Sequence, residues 1–503
     1  MPTPWRLGID LAILAAWIAV LGALSVFALH RLSLLRLSRP PRRRPSDAME
    51  PPAPEPPEWP EVTVQIPIYN EPLVVTRLVD AVARLDYPLN RLELQILDDS
   101  TDLTPRRAAA AARRARSLGL RVAHLRRRRR DGFKAGALAA GLARARGSLL
   151  AVFDADFVPP PDFLRRTVPC FADPAVGMVQ ARWGHLNRRH SLLTRLQAAL
   201  LDSHFLVEHR ARAAAGRFFN FNGTAGLWRR SCIEDAGGWQ ADTLTEDLDL
   251  SYRAQLRGWR FVFLPEVVAP AELPVRFSAF RSQQHRWAKG SAQTALKILP
   301  RIWRAPLPGH VRLEAFLHLT GNAAYPLLAA LALLLWPALE ARRRLAPGPP
   351  TVLDVVLFGP AALSVAAFWV AGQRRAGRGK LESLLLVPAL FAFGAALAVT
   401  NARAVFEALL GRPSAFIRTP KSGCVDGRPR SDTFRTVAPA AARHGTAMIE
   451  LLLALWCLAA GVAAARAGLW AWLPWPVLFA LGFGAAGLAP WPETARRARS
   501  RGW

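Results

Sequence analysis

The chain has 503 residues, 51% of them hydrophobic and 17 of them tryptophan, with a formal net charge of +29. That much apolar content is high for a soluble protein and suits a chain partly solvated by lipid. The positive charge suits nucleic acid or an anionic lipid surface, but no zinc-finger, RNP or basic-zipper pattern accompanies the arginines, so no nucleic-acid partner is expected. The cysteines (Cys170, Cys232, Cys424, Cys457) form no CxxC pair, which excludes a cysteine-based zinc site or disulfide framework.

Residues 11–29 form an uncharged apolar run, about long enough to cross a bilayer. Arg31, Arg36, Arg39 and Arg42 to Arg44 follow it. A signal peptide carries its charge before the apolar core. The order here predicts an anchor over residues 1–30, with the following domain in the cytoplasm. Residues 31–60 are rich in Arg and Pro and predict an extended linker.

Residues 61–290 predict the catalytic unit, of which 61 to about 275 alternate between strands and helices. Strands are expected over 62–68, 92–97, 121–125 and 149–153, with helices over 72–84 and 134–146. Such alternation implies an α/β domain with a mostly parallel sheet. Ligands bind beyond the carboxyl ends of the strands in sheets of this kind. Two strands end on acids there, one on Asp98-Asp99 and one on Asp154-Ala155-Asp156. Two carboxylates one residue apart suit a hard divalent cation whose remaining ligands are substrate phosphate oxygens, which makes Asp154 and Asp156 the metal candidates. Asp98 and Asp99 are candidates for the nucleoside. Lys134 opens a helix, where backbone amides and a cation favour a diphosphate.

Glu246-Asp247 follows Thr245. A sugar transfer needs a base for the acceptor hydroxyl; Asp247 is the candidate, Glu246 the runner-up. Asp249 and Arg253 read as a solvated helix face. In Gln283-x-x-Arg286-Trp287, Trp offers a face for a sugar ring and Arg a bidentate partner for phosphate. Apolar segments return near 312–337, 352–372, 383–400, 446–466 and 470–490. Between them lies a polar stretch, Phe416-Ile417-Arg418-Thr419-Pro420-Lys421, which reads as a lid whose Arg418 and Lys421 close over a diphosphate.

Taken together, these motifs make the chain resemble membrane-embedded family 2 glycosyltransferases with a GT-A fold. The likeness is to cellulose synthase and, more closely, to cellulose-synthase-like glucomannan (β-mannan) synthases. Gln65 to Glu71, Leu97 to Asp102, Phe153 to Phe157, Val179 to Trp183, Phe221 to Gly226, Glu246-Asp247 and Gln283 to Trp287 carry it. The resemblance implies a GT-A domain joined to an α-helical transmembrane region. It implies that Glu71, Asp98 and Asp99 contact the nucleoside and that Asp154 and Asp156 bind Mg²⁺ or Mn²⁺ with the diphosphate, which Lys134 helps to hold. It makes Asp247 the general base. Asn222, Gly223 and Thr224 line the acceptor site, and Gln283, Arg286 and Trp287 hold the terminal sugar and the donor. It makes 412–440 a gating-loop-like segment, with Arg418 where cellulose synthases usually carry Val.

The implied activity is inverting, processive transfer of a hexose from GDP-mannose or UDP-glucose to a growing β-glycan. Addition of a single sugar to a diacylglycerol- or ceramide-type lipid is the alternative. An export partner is left open. Catalytic domain and gating segment must share a side, so residues 291–411 hold an even number of crossings. Residues 381–411, which run into Asn401, Arg403 and Glu407, are expected to lie at the interface. With two crossings in 441–503, that makes a multi-pass protein of five crossings, in a bacterial inner membrane. Arg342 to Arg344 then lie outside, against the positive-inside rule.

Overall fold

The computed structural model describes residues 4–39, 58–345, 352–414, 418–424 and 440–489, with backbone only for 352–358 and 440–444. Most of the predicted linker, Phe416, Ile417 and the basic tail lie outside the described residues.

The sheet has seven strands: β1 (Val62–Ile68), β2 (Leu92–Asp98), β3 (Arg121–Arg126), β4 (Leu149–Val152), β5 (Val176–His185), β6 (Gly226–Arg229) and β7 (Arg260–Ala271). Their order is β3-β2-β1-β4-β6-β5-β7. All pairings are parallel except those of β6 with β4 and β5. Val62, Val64 and Ile66 are fully buried because helices cover the sheet, and near-continuous apolar strands are what such a sheet requires. Polar strand residues pair with each other: Thr63 Oγ1 donates to Glu93 at 2.7 Å, and Gln65 Nε2 to Gln95 at 3.0 Å.

From β1 the chain winds outward through β2 and β3, then returns to place β4 on the other flank of β1. The switch point therefore lies between β1 and β4, where Gln65 is level with Val152. A crevice opens at such a point beyond the strand ends. Glu71 follows β1, and Asp154 and Asp156 follow β4, so both motifs face it.

The helices of this domain are α2 (Val75–Val82), α3 (Thr104–Ser117), α4 (Phe133–Leu142), α5 (Phe163–Thr167), α6 (Leu192–Ser203), α7 (Arg210–Ala214), α8 (Arg230–Asp235) and α9 (Glu246–Leu256). Asp249 and Arg253 on α9 are not a solvated face. Both are buried, 2.8 Å apart, and Arg253 also donates to the carbonyls of Ala236 and Gly238. The turn that ends α8 leaves those carbonyls open, and a guanidinium fills them from the core side.

Outside this domain, α1 (Pro4–Leu37) precedes the sheet. After it come α10 (Phe277–Arg304), α11 (Gly309–Leu319), α12 (Ala324–Leu345), α13 (Val352–Arg375), α14 (Lys380–Leu385), α15 (Val387–Leu409), α16 (Ala440–Arg466) and α17 (Pro474–Leu488). Five helical segments among the described residues are long and apolar enough to cross a membrane: Pro4–Leu37, Gly321–Leu345, Lys380–Leu409, Gly445–Arg466 and Trp470–Leu488. The span expected near 312–337 is displaced. Thr320 ends α11, and a 3-10 turn over Gly321–Ala323 separates it from α12. The Glu314 carboxylate of α11 is buried against Arg212 at 3.0 Å, so α11 belongs with the catalytic domain.

Ion pairs fix how the long helices run. Arg344, at the end of α12, binds Asp10 of α1 through two nitrogens, at 2.7 and 2.9 Å. These helices are antiparallel, and the pair gives the out-of-place Arg342 to Arg344 cluster a local reason. At the other end of α1, Ser38 accepts a hydrogen bond from Arg375 of α13 at 2.7 Å. Both ends of the α14–α15 segment meet residues of the catalytic side. Glu382 pairs with Arg188 at 2.6 Å, and Glu407 pairs with His285 and Lys289 at 3.2 and 3.3 Å.

Candidate active site

A cavity of about 740 Å³ begins in the crevice and continues between the long helices. Glu71, Asp99, Lys134, Asp154, Asp156, Asn222, Gly223, Glu246, Asp247, Gln283, Arg286, Trp287, Arg418 and Lys421 all line it. Asp98 and Thr224 are close by but not on the wall. Asp98 sits behind β2 with His124 Nε2 at 2.9 Å and the Ser100 amide at 2.8 Å. Burial alone would raise its carboxyl, and these hydrogen bonds outweigh it, holding it below the usual range. Thr224 Oγ1 accepts from the Asp154 amide at 2.8 Å and so orients the metal candidate from behind.

On the donor side every carboxylate carries a cation. Asp99 is gripped by Arg127 at 2.5 and 2.9 Å. Lys134 Nζ donates to Asp154 at 2.7 Å and to the Gly223 carbonyl at 2.8 Å. Lys421 lies 2.6 Å from Asp156, and Arg418 lies 2.9 Å from Glu71. Two cations of the 418–424 segment thus reach the crevice. Ser422 pins that segment to Glu272 through its amide and its hydroxyl, both at 2.7 Å. Burial raises the Glu71 and Asp156 carboxyls, against the pull of Arg418 and Lys421. Two side chains went unnoticed in the sequence: the Arg130 guanidinium stacks 3.4 Å from the Tyr69 ring centre, and both line the cavity. No spacing signal links residues 69 and 130.

The other side of the cavity is built from the start of α9 and from α10. Asp247 lies in the first turn of α9, where its Oδ1 accepts from the Leu248 amide at 2.8 Å. Burial, then the neighbouring Glu246 carboxylate, push its carboxyl up to about 7, against the pull of Lys134. That suits a proton acceptor working near neutrality. Gly223 takes φ +80 and lies so close that a Cβ there would stand 2.8 Å from Asp247 Oδ2. Burial draws the Arg286 guanidinium down, against the charges of Glu246, Asp154 and Asp247. Trp287 packs near Trp183, ring centres 6.4 Å apart.

Comparison with known proteins gives this geometry a family. The family model described as "Glycosyltransferase like family 2" matches residues 60–290. Glucomannan 4-beta-mannosyltransferase 2 of Arabidopsis thaliana is 45% identical over 251 residues, covering 49% of this chain and 47% of that protein. Glucomannan 4-beta-mannosyltransferase 1 of Oryza sativa is 44% identical, covering 49% and 48%. The chain spans about half the length of these curated relatives. Among solved structures, the mannosyltransferase PcManGT from Pyrobaculum calidifontis, in complex with GDP-Man and Mn²⁺, superposes with a TM-score of 0.52. It is 24% identical and covers 80% of this chain and 100% of its own. Residues 60–290 thus match a family 2 glycosyltransferase domain and share the fold of that mannosyltransferase, and long apolar helices flank them.

Proposed function

We propose that the protein is an inverting hexosyltransferase that moves mannose from GDP-mannose onto the end of a growing β-glycan at a membrane. The observation that carries this reading is one cavity with two chemistries. Its donor side holds paired acids and cations suited to a nucleoside diphosphate. Its acceptor side holds one raised carboxyl, Asp247, beside Arg286 and Trp287. The names of the relatives that match at 44–45% identity favour mannose over glucose.

In this reading Asp99 and Glu71 take the nucleoside, with Arg130 and Tyr69 as a flat surface for the base. Lys134, Arg286 and Lys421 face the diphosphate. Asp154 and Asp156 would hold a divalent ion, Mn²⁺ or Mg²⁺. The donor set fits: among the described residues no third His, Cys, Asp or Glu joins them, as for an ion completed by phosphate oxygens. Each acid already attracts a cationic nitrogen at 2.6–2.7 Å. The ion would offset charge on the departing diphosphate. Asp247 takes the proton of the acceptor hydroxyl while that oxygen attacks the anomeric carbon opposite the diphosphate. One displacement inverts that centre, and no second carboxylate is required as nucleophile.

The membrane arrangement we propose has α1, α12, α13, α16 and α17 crossing and α15 lying at the interface. Support comes from the Arg188–Glu382 and Lys289–Glu407 pairs, which tie both ends of α14–α15 to the catalytic side. The catalytic domain is then cytoplasmic, at a bacterial inner membrane. One observation favours a second acceptor class. Deep in the cavity the wall is apolar, with Leu24, Leu328, Val365, Leu397 and Phe479, which suits a lipid chain. Purified protein in detergent, given GDP-mannose or UDP-glucose with Mn²⁺ or Mg²⁺, separates the cases. A long product cut by β-mannanase supports the proposal. A single-sugar lipid favours the second reading, and no hexosyl transfer overturns both.

A further inference from the structure

The wall of the cavity opposite Asp247 carries a dyad with no role so far. A π-helical turn over His204–His209 follows α6, a kind of turn common at functional sites. It sets His204 and Glu208 on one face, both lining the cavity. His204 Nδ1 lies 2.9 Å from Glu208 Oε2, and His204 Nε2 lies 2.9 Å from Asn222 Nδ2. Glu208 is half-buried; desolvation would raise its carboxyl, but the His204 hydrogen bond and the Arg212 charge hold it well below the usual range. An ionised carboxylate only accepts, so Nδ1 carries the proton. The Asn222 NH₂, which can only donate, faces Nε2, so Nε2 accepts. That fixes the amide and turns Oδ1 the other way. Asn222 Oδ1 is buried and has no hydrogen-bond partner, although Asn222 lines the cavity. Buried acceptors left unmatched are rare and point to a missing donor. The backbone around it is fixed too: the Asn222 backbone N–H donates to Gln180 Oε1 at 2.9 Å, and a Cβ added at Gly223 would stand 2.8 Å from Asp247 Oδ2.

We propose that His204, braced by Glu208, is a positioning residue for the acceptor: through its ring it orients the Asn222 amide so that Oδ1 receives a hydroxyl of the sugar being extended. The ligand class is a terminal hexose with a free hydroxyl next to the one that reacts. This deepens the hexosyltransferase reading and rests on it. A side chain that acts this way changes acceptor binding and leaves the nucleotide alone.

The test uses the full chain in detergent with GDP-mannose and β-manno-oligosaccharides as acceptors. His204→Ala should raise the acceptor KM roughly tenfold, the loss of about one well-made hydrogen bond, with GDP affinity by calorimetry unchanged. His204→Gln, which also offers an acceptor atom to the Asn222 NH₂, should recover most of the loss. Asn222→Ala should match His204→Ala, and the double variant should add nothing to either, because one residue acts through the other. An unchanged acceptor KM in His204→Ala, or an additive double variant, overturns the inference while the hexosyltransferase reading stands. A fall in GDP affinity equal to the change in KM means a merely structural role and also overturns it. Absence of transfer by the wild-type protein sinks both.

Discussion

Gly223→Ala is the sharpest probe of the proposed base. Gly223 has φ +80, where a Cβ costs about 1–2 kcal/mol. The new Cβ would also stand 2.8 Å from Asp247 Oδ2 and 3.3 Å from Lys134 Nζ. Ordinary contact begins near 3.4 Å, so the carboxylate must retreat by about 0.6 Å or turn away. Misplacing a reacting group by 1 Å can cost on the order of a hundredfold in rate. A ten- to hundredfold fall in kcat for mannosyl transfer from labelled GDP-mannose is therefore expected, with GDP affinity changed far less. Gly216→Ala is the control. Gly216 has φ +61 but no atom within 4 Å of the added Cβ, so it carries the backbone strain without the clash. Its thermal stability should fall by a similar amount while its kcat holds. A Gly223→Ala enzyme within about threefold of wild-type kcat refutes the placement of Asp247 as base.

Other consequences are as direct. Asp247→Asn should lower kcat by about 10²–10⁴-fold with the donor still bound, the range for loss of a positioned general base; near-normal kcat would eliminate Asp247 from the chemistry. Because the Asp247 carboxyl is raised to about 7, and the base must be deprotonated, kcat/KM should climb as pH rises through that value. The sign for stability is opposite: a raised carboxyl favours the fold when protonated, so that contribution is lost as pH rises through about 7. Lys421→Ala frees Asp156 from a charge-assisted contact at 2.6 Å and should tighten Mn²⁺ binding in the absence of donor by about tenfold, read by electron paramagnetic resonance; weaker Mn²⁺ binding would contradict this. Cysteines placed at Lys380 and Arg412 should react with an impermeant reagent from the same side of oriented vesicles, and one at Arg466 from the other; opposite-side labelling of the first two would make α15 a span.

Much of the domain was open to reading because its strands announce themselves. Val62–Ile68 and Leu92–Asp98 are rich in apolar residues and buried on both faces, as in a covered parallel sheet, and acids follow each at its carboxyl end. The start of α4 beside Lys134 followed from its local chemistry in the same way. What stayed hidden depends on distances in space that no periodicity encodes. The contact between His204 and Asn222 joins residues 18 apart through a π-helical turn. Asp98 and Asp99 look alike in the sequence, yet His124, two strands from the crevice, withdraws the first from the wall. Asp249 and Arg253 have the i, i+4 spacing of a solvated pair, and only the open carbonyls of Ala236 and Gly238 explain why they are buried. The extent of α12 was misjudged because hydropathy runs across the turn at Gly321, which a geometric break divides.

The Asp10–Arg344 clamp has a consequence for how this chain is made. A ribosome delivers Asp10 more than three hundred residues before its partner emerges. Until then the first helix holds a carboxylate that α12 will bury, and that helix has no fixed neighbour at its outer end. Synthesis thus proceeds with α1 able to meet only partners made before α12, such as Glu314 of α11 on His30, and arrival of α12 locks the Asp10 end. The pair can form only once α12 has been made. Asp10→Asn should leave the finished sheet domain intact while slowing or scrambling the docking of α12, a defect visible in pulse-labelled protein as prolonged protease sensitivity of α12.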